Sequence, residues 1–166
     1  MIEVRTEIVR MDNRGHGVYN LFDDILDGQC NITTTAPGVV RAFHYHEKQT
    51  DHWFCVKGNL HVILIEPLSG YEFRDFVEYS LLDGGFSAGI LVNGNWRQIG
   101  RVYHRYIGEQ NPVTLKIPPG VLHGFTPMHG KEATLLYYTD QKYDANDEKR
   151  ISWRFLGEDI WSVSNK

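Results

Sequence analysis

Hydrophobic and polar residues alternate with a period of two over much of the chain, and this period predicts strands rather than helices. Residues 2–9 alternate apolar and charged positions. Asp12-Asn13-Arg14-Gly15 then supplies turn chemistry. Residues 23–28 read as a loop or a short helix. β-Branched density returns from Asn31 to Thr35, and Pro37-Gly38 ends that segment. Val39 to His44 and Trp53 to Val56 read as strands. Lys57-Gly58-Asn59 turns the chain into Leu60-His61-Val62-Ile63-Leu64-Ile65, so the pair predicts a β-hairpin. Residues 71–79 alternate weakly. Asn93-Gly94 lies between apolar flanks and predicts a second hairpin turn. Val102–Ile107, Val113–Ile117 and Ala133–Thr139 complete the strands, Pro118-Pro119-Gly120 breaks the chain, and residues 140–150 read as loop. No helix of four turns with caps, no linker and no repeat interrupts the series. Short strands at this spacing predict an all-β barrel or sandwich.

The chain has 166 residues, which suits one domain. Aromatics at 13% and 16 glycines agree with a turn-rich β protein. The net charge of -4 gives no basic surface for nucleic acid, though one or two placed arginines would still hold a small anion. The N-terminus lacks an apolar signal core, and no stretch approaches a membrane span. Cys30 and Cys55 are too few for a disulfide framework. The expectation is a cytoplasmic protein acting on a small molecule.

The most specific feature is a spacing. Gly38, five residues, His44, one residue, His46, four residues, Asp51, six residues, Gly58 matches the first cupin motif with Asp in place of Glu. Pro118-x-Gly120-x-x-His123 supplies the second motif, with Pro127 where that motif has Asn. Two positions apart on a strand, His44 and His46 leave on the same face. A partner strand starting near Asp51 can bring its carboxylate there, and His123 can approach after the turn. Three imidazoles and a carboxylate suit Fe(II), Mn, Ni or Zn. Any one of eight histidines is weak support, and only the two-part spacing sets these apart.

The flanking sequence resembles a narrower family, the dTDP-4-dehydrorhamnose 3,5-epimerases. Val40-Arg41-Ala42-Phe43-His44-Tyr45 is similar to that family's Leu-Arg-Gly-Leu-His-Tyr, and Gln29-Cys30-Asn31 to its Gln-Asp-Asn. Asp12-Asn13-Arg14-Gly15 resembles its Asp-x-Arg-Gly. Ile117-Pro118-Pro119-Gly120-Val121-Leu122-His123-Gly124-Phe125 resembles its Ile-Pro-Glu-Gly-Phe-Ala-His-Gly-Phe. Leu136-Tyr137-Tyr138-Thr139 is similar to its Tyr-Lys-x-Thr strand, and Arg150-Ile151-Ser152-Trp153 to its Gly-Ile-x-Trp. The likeness spans residues 1–153 apart from an insertion at 69–99.

The resemblance implies a single-domain cupin-type jelly-roll barrel over residues 1–166, with a β-hairpin insertion. It implies epimerisation beside the C4 ketone of a nucleotide-linked 6-deoxy sugar, without a cofactor. His44 would be the base and Tyr137 the acid on the opposite face. Arg14 and Arg41 would hold the diphosphate, and Gln29, Asn31, His123 and Tyr143 would line the substrate site. A homodimer with an exchanged N-terminal strand is also implied.

Three departures stand against a simple carry-over. Asp51 replaces the family's lysine at the enolate oxygen, where a carboxylate is repulsive. His46 replaces a glutamine. The family's C-terminal Asp, which orients the base, has no aligned counterpart. Two other readings therefore stay open: a metal-dependent cupin using His44, His46, Asp51 and His123 on another carbonyl substrate, and a non-catalytic sugar-binding barrel.

Overall fold

The computed structural model describes residues 7–21, 27–70, 80–82, 87–92 and 95–162. They form two antiparallel sheets. The strands are β1 (Arg10–Asp12), β2 (Gly15–Tyr19), β3 (Gln29–Thr35), β4 (Arg41–His46), β5 (Asp51–Lys57), β6 (Asn59–Pro67), β7 (Ser80–Leu82), β8 (Ser87–Val92), β9 (Asn95–Gly108), β10 (Thr114–Ile117), β11 (Leu122–Pro127), β12 (Ala133–Thr139) and β13 (Glu148–Arg150). One sheet runs β1-β2-β3-β12-β5-β10 and the other β13-β4-β11-β6-β9-β8-β7. A 3-10 helix follows at Glu158–Trp161. No described helix is long and apolar enough to cross a membrane.

Two apolar layers explain the pattern. Trp53, Cys55, Leu60, Val62, Ile107, Ile117, Phe125 and Leu135 fill the space between the sheets. Phe43, Tyr45, Ile63, Ile65 and Leu122 point to the other side of the second sheet, where Leu156, Ile160 and Trp161 cover them. β6 is thus apolar on both faces over Val62-Ile63-Leu64-Ile65, and that run follows from the double burial. Gly58 turns β5 into β6 at φ 72, a conformation that glycine adopts without penalty. At Gly124 a side chain has no room, since a Cβ there would lie 2.3 Å from the Cβ of Ala42.

Several expectations change. Residues 2–6 of the strand expected at 2–9 lie outside the described residues, and residues 7–9 are not in a strand, so the described pairing begins at Arg10. The stretch read as loop at 140–150 contains β13, which pairs with β4 in the register Glu148↔His46 and Arg150↔His44. The Asn93-Gly94 turn and residues 71–79 lie outside the described residues, while the flanking strands β8 and β9 pair from Val92↔Asn95 onward.

Candidate active site

β4 carries His44 and His46 on the face that looks between the sheets. His123 on β11 is the direct partner of His44 across the ladder. The rings of His44 and His123 are 4.2 Å apart, and His46 is 5.7 Å from each. The ligating nitrogens of the three lie within 4.8 Å of one another. Nδ1 of His44, Nδ1 of His46 and Nε2 of His123 are buried and make no hydrogen bond among the described residues.

Asp51, at the start of β5, lies at the edge of this cluster and outside it. Its Oδ1 accepts a 2.6 Å bond from the Gln49 amide, and its Oδ2 accepts one of 3.0 Å from the Trp53 indole. Oδ2 also approaches His123 Nε2 at 3.7 Å. On the far side, His46 Nδ1 lies 3.6 Å from Asp147, whose carboxylate accepts the backbone N–H groups of Glu47, Lys48 and Gln49. Asp147 therefore fixes the turn that joins β4 to β5.

A cavity of about 500 Å³ opens in front of the cluster. Arg14, Gln29, Asn31, Arg41, His44, Tyr137 and Tyr143 all line it. Tyr137 comes from β12 and His44 from β4, so the two reach the cavity from opposite sheets. Expected among the lining residues, His123 is instead buried behind the wall, because its pairing with β4 places it beneath Asp51 and Trp53. Of the four residues expected to hold a metal, the three histidines converge, whereas both Asp51 oxygens are already hydrogen-bonded.

Burial gives each group its electrostatic character. His44 is held well below an ordinary histidine pKa by desolvation first, then by the charges of His123, His46 and Arg150. It is a neutral acceptor at pH 7. Tyr137 is raised by desolvation, with the carboxylate of Asp51 among the further causes, and keeps its proton. Arg41 is lowered by desolvation and then by Arg14; its Nε donates to Thr35 at 2.8 Å. Arg14 is tied to Asp12, and Gln29 links Asn31 at 2.5 Å to the backbone N–H of Tyr143 at 3.2 Å.

Glu148, Arg150, Gln49 and Trp53 also line the cavity, and sequence reasoning missed all four. Gln49 and Trp53 flank Asp51 at two-residue spacing on either side, a signal that could have been read once Asp51 was suspected. Glu148 and Arg150 needed the β13 pairing.

No family model matches the chain. It is 33% identical over 158 residues to the spore coat polysaccharide biosynthesis protein SpsL of Bacillus subtilis, covering 92% of this chain and 88% of that one. It is 31% identical over 160 residues to the probable low-salt glycan biosynthesis epimerase Agl13 of Haloferax volcanii, covering 92% and 86%. Among solved structures, the capsular polysaccharide assembling protein CapF of Staphylococcus aureus superposes with a TM-score of 0.63 at 14% identity. That match covers 90% of this chain and 32% of CapF, so the chain spans about a third of its length. NovW, a 4-keto-6-deoxy sugar epimerase of Streptomyces spheroides, superposes with a TM-score of 0.59 at 19% identity, covering 95% and 73%. The two structural likenesses establish the cupin fold.

Proposed function

The chain belongs to the dTDP-4-dehydrorhamnose 3,5-epimerase-like family of the cupin superfamily, and from that premise we propose that it epimerises a nucleotide-linked 4-keto-6-deoxyhexose for polysaccharide assembly. The observation that carries this reading is the placement of a neutral His44 and a protonated Tyr137 on opposite sheets of one cavity.

The chemistry follows from those two groups. A ring nitrogen of His44 removes the proton from the carbon beside the C4 ketone. The C–H electron pair becomes the enolate double bond, and the negative charge moves to the C4 oxygen. Tyr137 then donates its hydroxyl proton to the opposite face of that carbon, and the enolate electrons return to form the new C–H bond. Solvent restores the proton of Tyr137 and removes that of His44. A base that stays unprotonated and an acid that stays protonated at neutral pH suit these roles.

Arg14 and Arg41 hold the diphosphate, since guanidinium forks match phosphate oxygens. Two neighbouring cations, of which Arg41 has only a threonine as hydrogen-bond partner among the described residues, leave that positive field free for an anion. Gln29, Asn31 and Tyr143 face the sugar or base, and His123 supports Asp51 from behind. Exposed Ile8, Val9 and Met11 on and before the edge strand β1 suit a homodimer.

Incubation with dTDP- and UDP-linked 4-keto-6-deoxyhexoses, followed by NMR of the ring-proton couplings, tests the reading. Inverted coupling at C3 or C5 supports it. Unchanged sugars across the panel contradict it.

A second reading rests on the three orphaned nitrogens. Buried polar atoms without partners are costly, and His44, His46 and His123 fit a divalent cation such as Fe(II), Mn, Ni or Zn. Two ligands at about 2.1 Å from one ion lie at most about 4.2 Å apart, so the widest pair, within 4.8 Å, would close slightly. Such an ion would polarise a carbonyl oxygen. It would also occupy a His44 nitrogen and remove the base. Metal content after loading with each ion separates the two readings.

A further inference from the structure

We propose that Arg150 is the catalytic cation that stabilises the enolate oxygen, replacing the positive charge that Asp51 has displaced from the opposite sheet. The proposal rests on the epimerase reading.

The enolate needs a cation close to the C4 oxygen, and the residue at position 51 on β5 is a carboxylate. Asp51 is buried, with both oxygens engaged by Gln49 and Trp53, so it offers no donor. Among the described residues, the cations that line the cavity are Arg10, Arg14, Arg41 and Arg150, apart from the histidines. Arg14 is bound to Asp12, and Arg41 donates to Thr35 at the far end of β4. Arg150 alone among the four is the direct partner of His44, across the β13–β4 ladder. Residues directly opposite in an antiparallel pair leave on the same face with Cβ atoms about 4.5–5.5 Å apart. The guanidinium therefore enters the cavity beside the base, and its charge is one of those acting on the His44 ring.

Its hydrogen bonds leave one arm open. Nε of Arg150 donates to Glu148 Oε1 at 2.8 Å, and Nη2 forms an ion pair with the same oxygen at 2.8 Å. Glu148 is largely buried, with 12% of its side chain exposed, and so anchors the guanidinium from the cavity wall. Nη1 has no partner among the described residues. An anchored fork with a free N–H beside the base matches what a developing oxyanion requires: a donor already in place before the charge appears. The family motifs that this chain resembles carry glycine at the position of Arg150 and lysine at that of Asp51, which fits the exchange. The cation has moved from one wall of the cavity to the other.

In the catalytic step His44 takes the carbon-bound proton, the C4 carbonyl becomes the enolate oxygen, and the free Nη1–H donates to it. No proton leaves Arg150. When Tyr137 reprotonates the carbon, the oxygen returns to a carbonyl and the hydrogen bond weakens.

The test is solvent-deuterium exchange into a dTDP-4-keto-6-deoxyhexose by the full chain. Arg150→Gln, Arg150→Gly and Arg150→Lys are compared with the unmodified protein. The Arg150 side chain is 72% exposed, so these variants leave the fold intact, as circular dichroism will verify. Removing one preorganised oxyanion donor costs roughly 10²–10³-fold in turnover. Arg150→Gln and Arg150→Gly are expected to lose that much in kcat for exchange with little change in KM, and Arg150→Lys to recover at least tenfold of it. Full exchange in Arg150→Gln, or a raised KM with unchanged kcat, overturns the proposal and leaves the epimerase reading standing, because the second pattern marks uniform binding. Absence of exchange in the unmodified protein overturns both.

Discussion

His123 Nε2 and Asp51 Oδ2 face each other at 3.7 Å while His123 Nδ1 is held by the carbonyl oxygen of Val121 at 2.9 Å. The carbonyl accepts only if Nδ1 carries the proton. A neutral His123 then turns its bare lone pair toward a carboxylate, so a proton or a cation belongs between them. Burial lowers the pKa of His123, and the Asp51 charge works against that effect. Asp51 is therefore held by hydrogen bonds from Gln49 and Trp53 and faces His123 without one. Asp51→Ala strands the Gln49 amide and the Trp53 indole in a closed site. We expect a loss of about 2–4 kcal/mol, measured by urea unfolding at pH 7. A loss under about 1 kcal/mol would show that the carboxylate contributes little.

The base sets the acid side of the pH profile. The pKa of His44 lies well below 6.5 in the folded state because burial and the neighbouring imidazoles oppose its charging. Activity is present above that pKa and lost as pH falls through it. The acidic limb of kcat/KM, which reports the free enzyme, is expected well below pH 6.5. A limb at or above that value contradicts the assignment.

The acid can be separated from the base. Tyr137→Phe keeps the ring and removes the proton donor. Epimerised product is expected to fall by roughly 10²–10⁴-fold, while exchange of the carbon-bound proton persists through His44. Equal loss of both signals would mean that Tyr137 does not act on the opposite face.

Arg41 is expected to act through binding. Losing a charged hydrogen-bond partner costs about 1.5–3 kcal/mol, so Arg41→Ala should raise KM by roughly ten- to a hundredfold and change kcat less. Titration with the free nucleoside diphosphate gives the same contrast by calorimetry. Equal affinity in both proteins would remove Arg41 from the diphosphate site.

A second histidine pair controls acid stability. His61 is buried beneath Trp161 and Tyr106, its Nε2 meets His104 Nδ1 at 2.9 Å, and its pKa is lowered to about 4 by burial and then by His104. The unfolded histidine titrates near 6.5. Stability is full above that value and falls as pH drops from about 6.5 to about 4, by up to roughly 3 kcal/mol. His61→Phe should flatten this loss by about 2 kcal/mol between pH 7 and 4.5 in urea unfolding. An unchanged slope would place the acid sensitivity elsewhere.

β-Branched, apolar and aromatic runs make β3, β5, β6 and β12 readable from the sequence, and the His-x-His spacing alone puts His44 and His46 on one face of a strand. β2 is hidden because Gly15 and Gly17 break its alternation. β13 is hidden because Glu148-Lys149-Arg150 is wholly polar: it is a strand only through its pairing with β4, next to the reciprocal backbone bonds of Phe43 and Ile151. The same blindness conceals Arg150 and Glu148. Asp147 is equally silent, since a buried carboxylate capping the 47–49 turn looks from sequence like one more acidic loop residue. Side-chain types declare the chemistry; strand register decides which of them meet.

The most direct measurement is NMR of a dTDP-4-keto-6-deoxyhexose in D₂O with the unmodified protein and with His44→Ala. Deuterium entering at C3 or C5 with the unmodified protein, and not with His44→Ala, is the expected result. Incorporation that survives His44→Ala, or none with either protein, would contradict proton abstraction by His44.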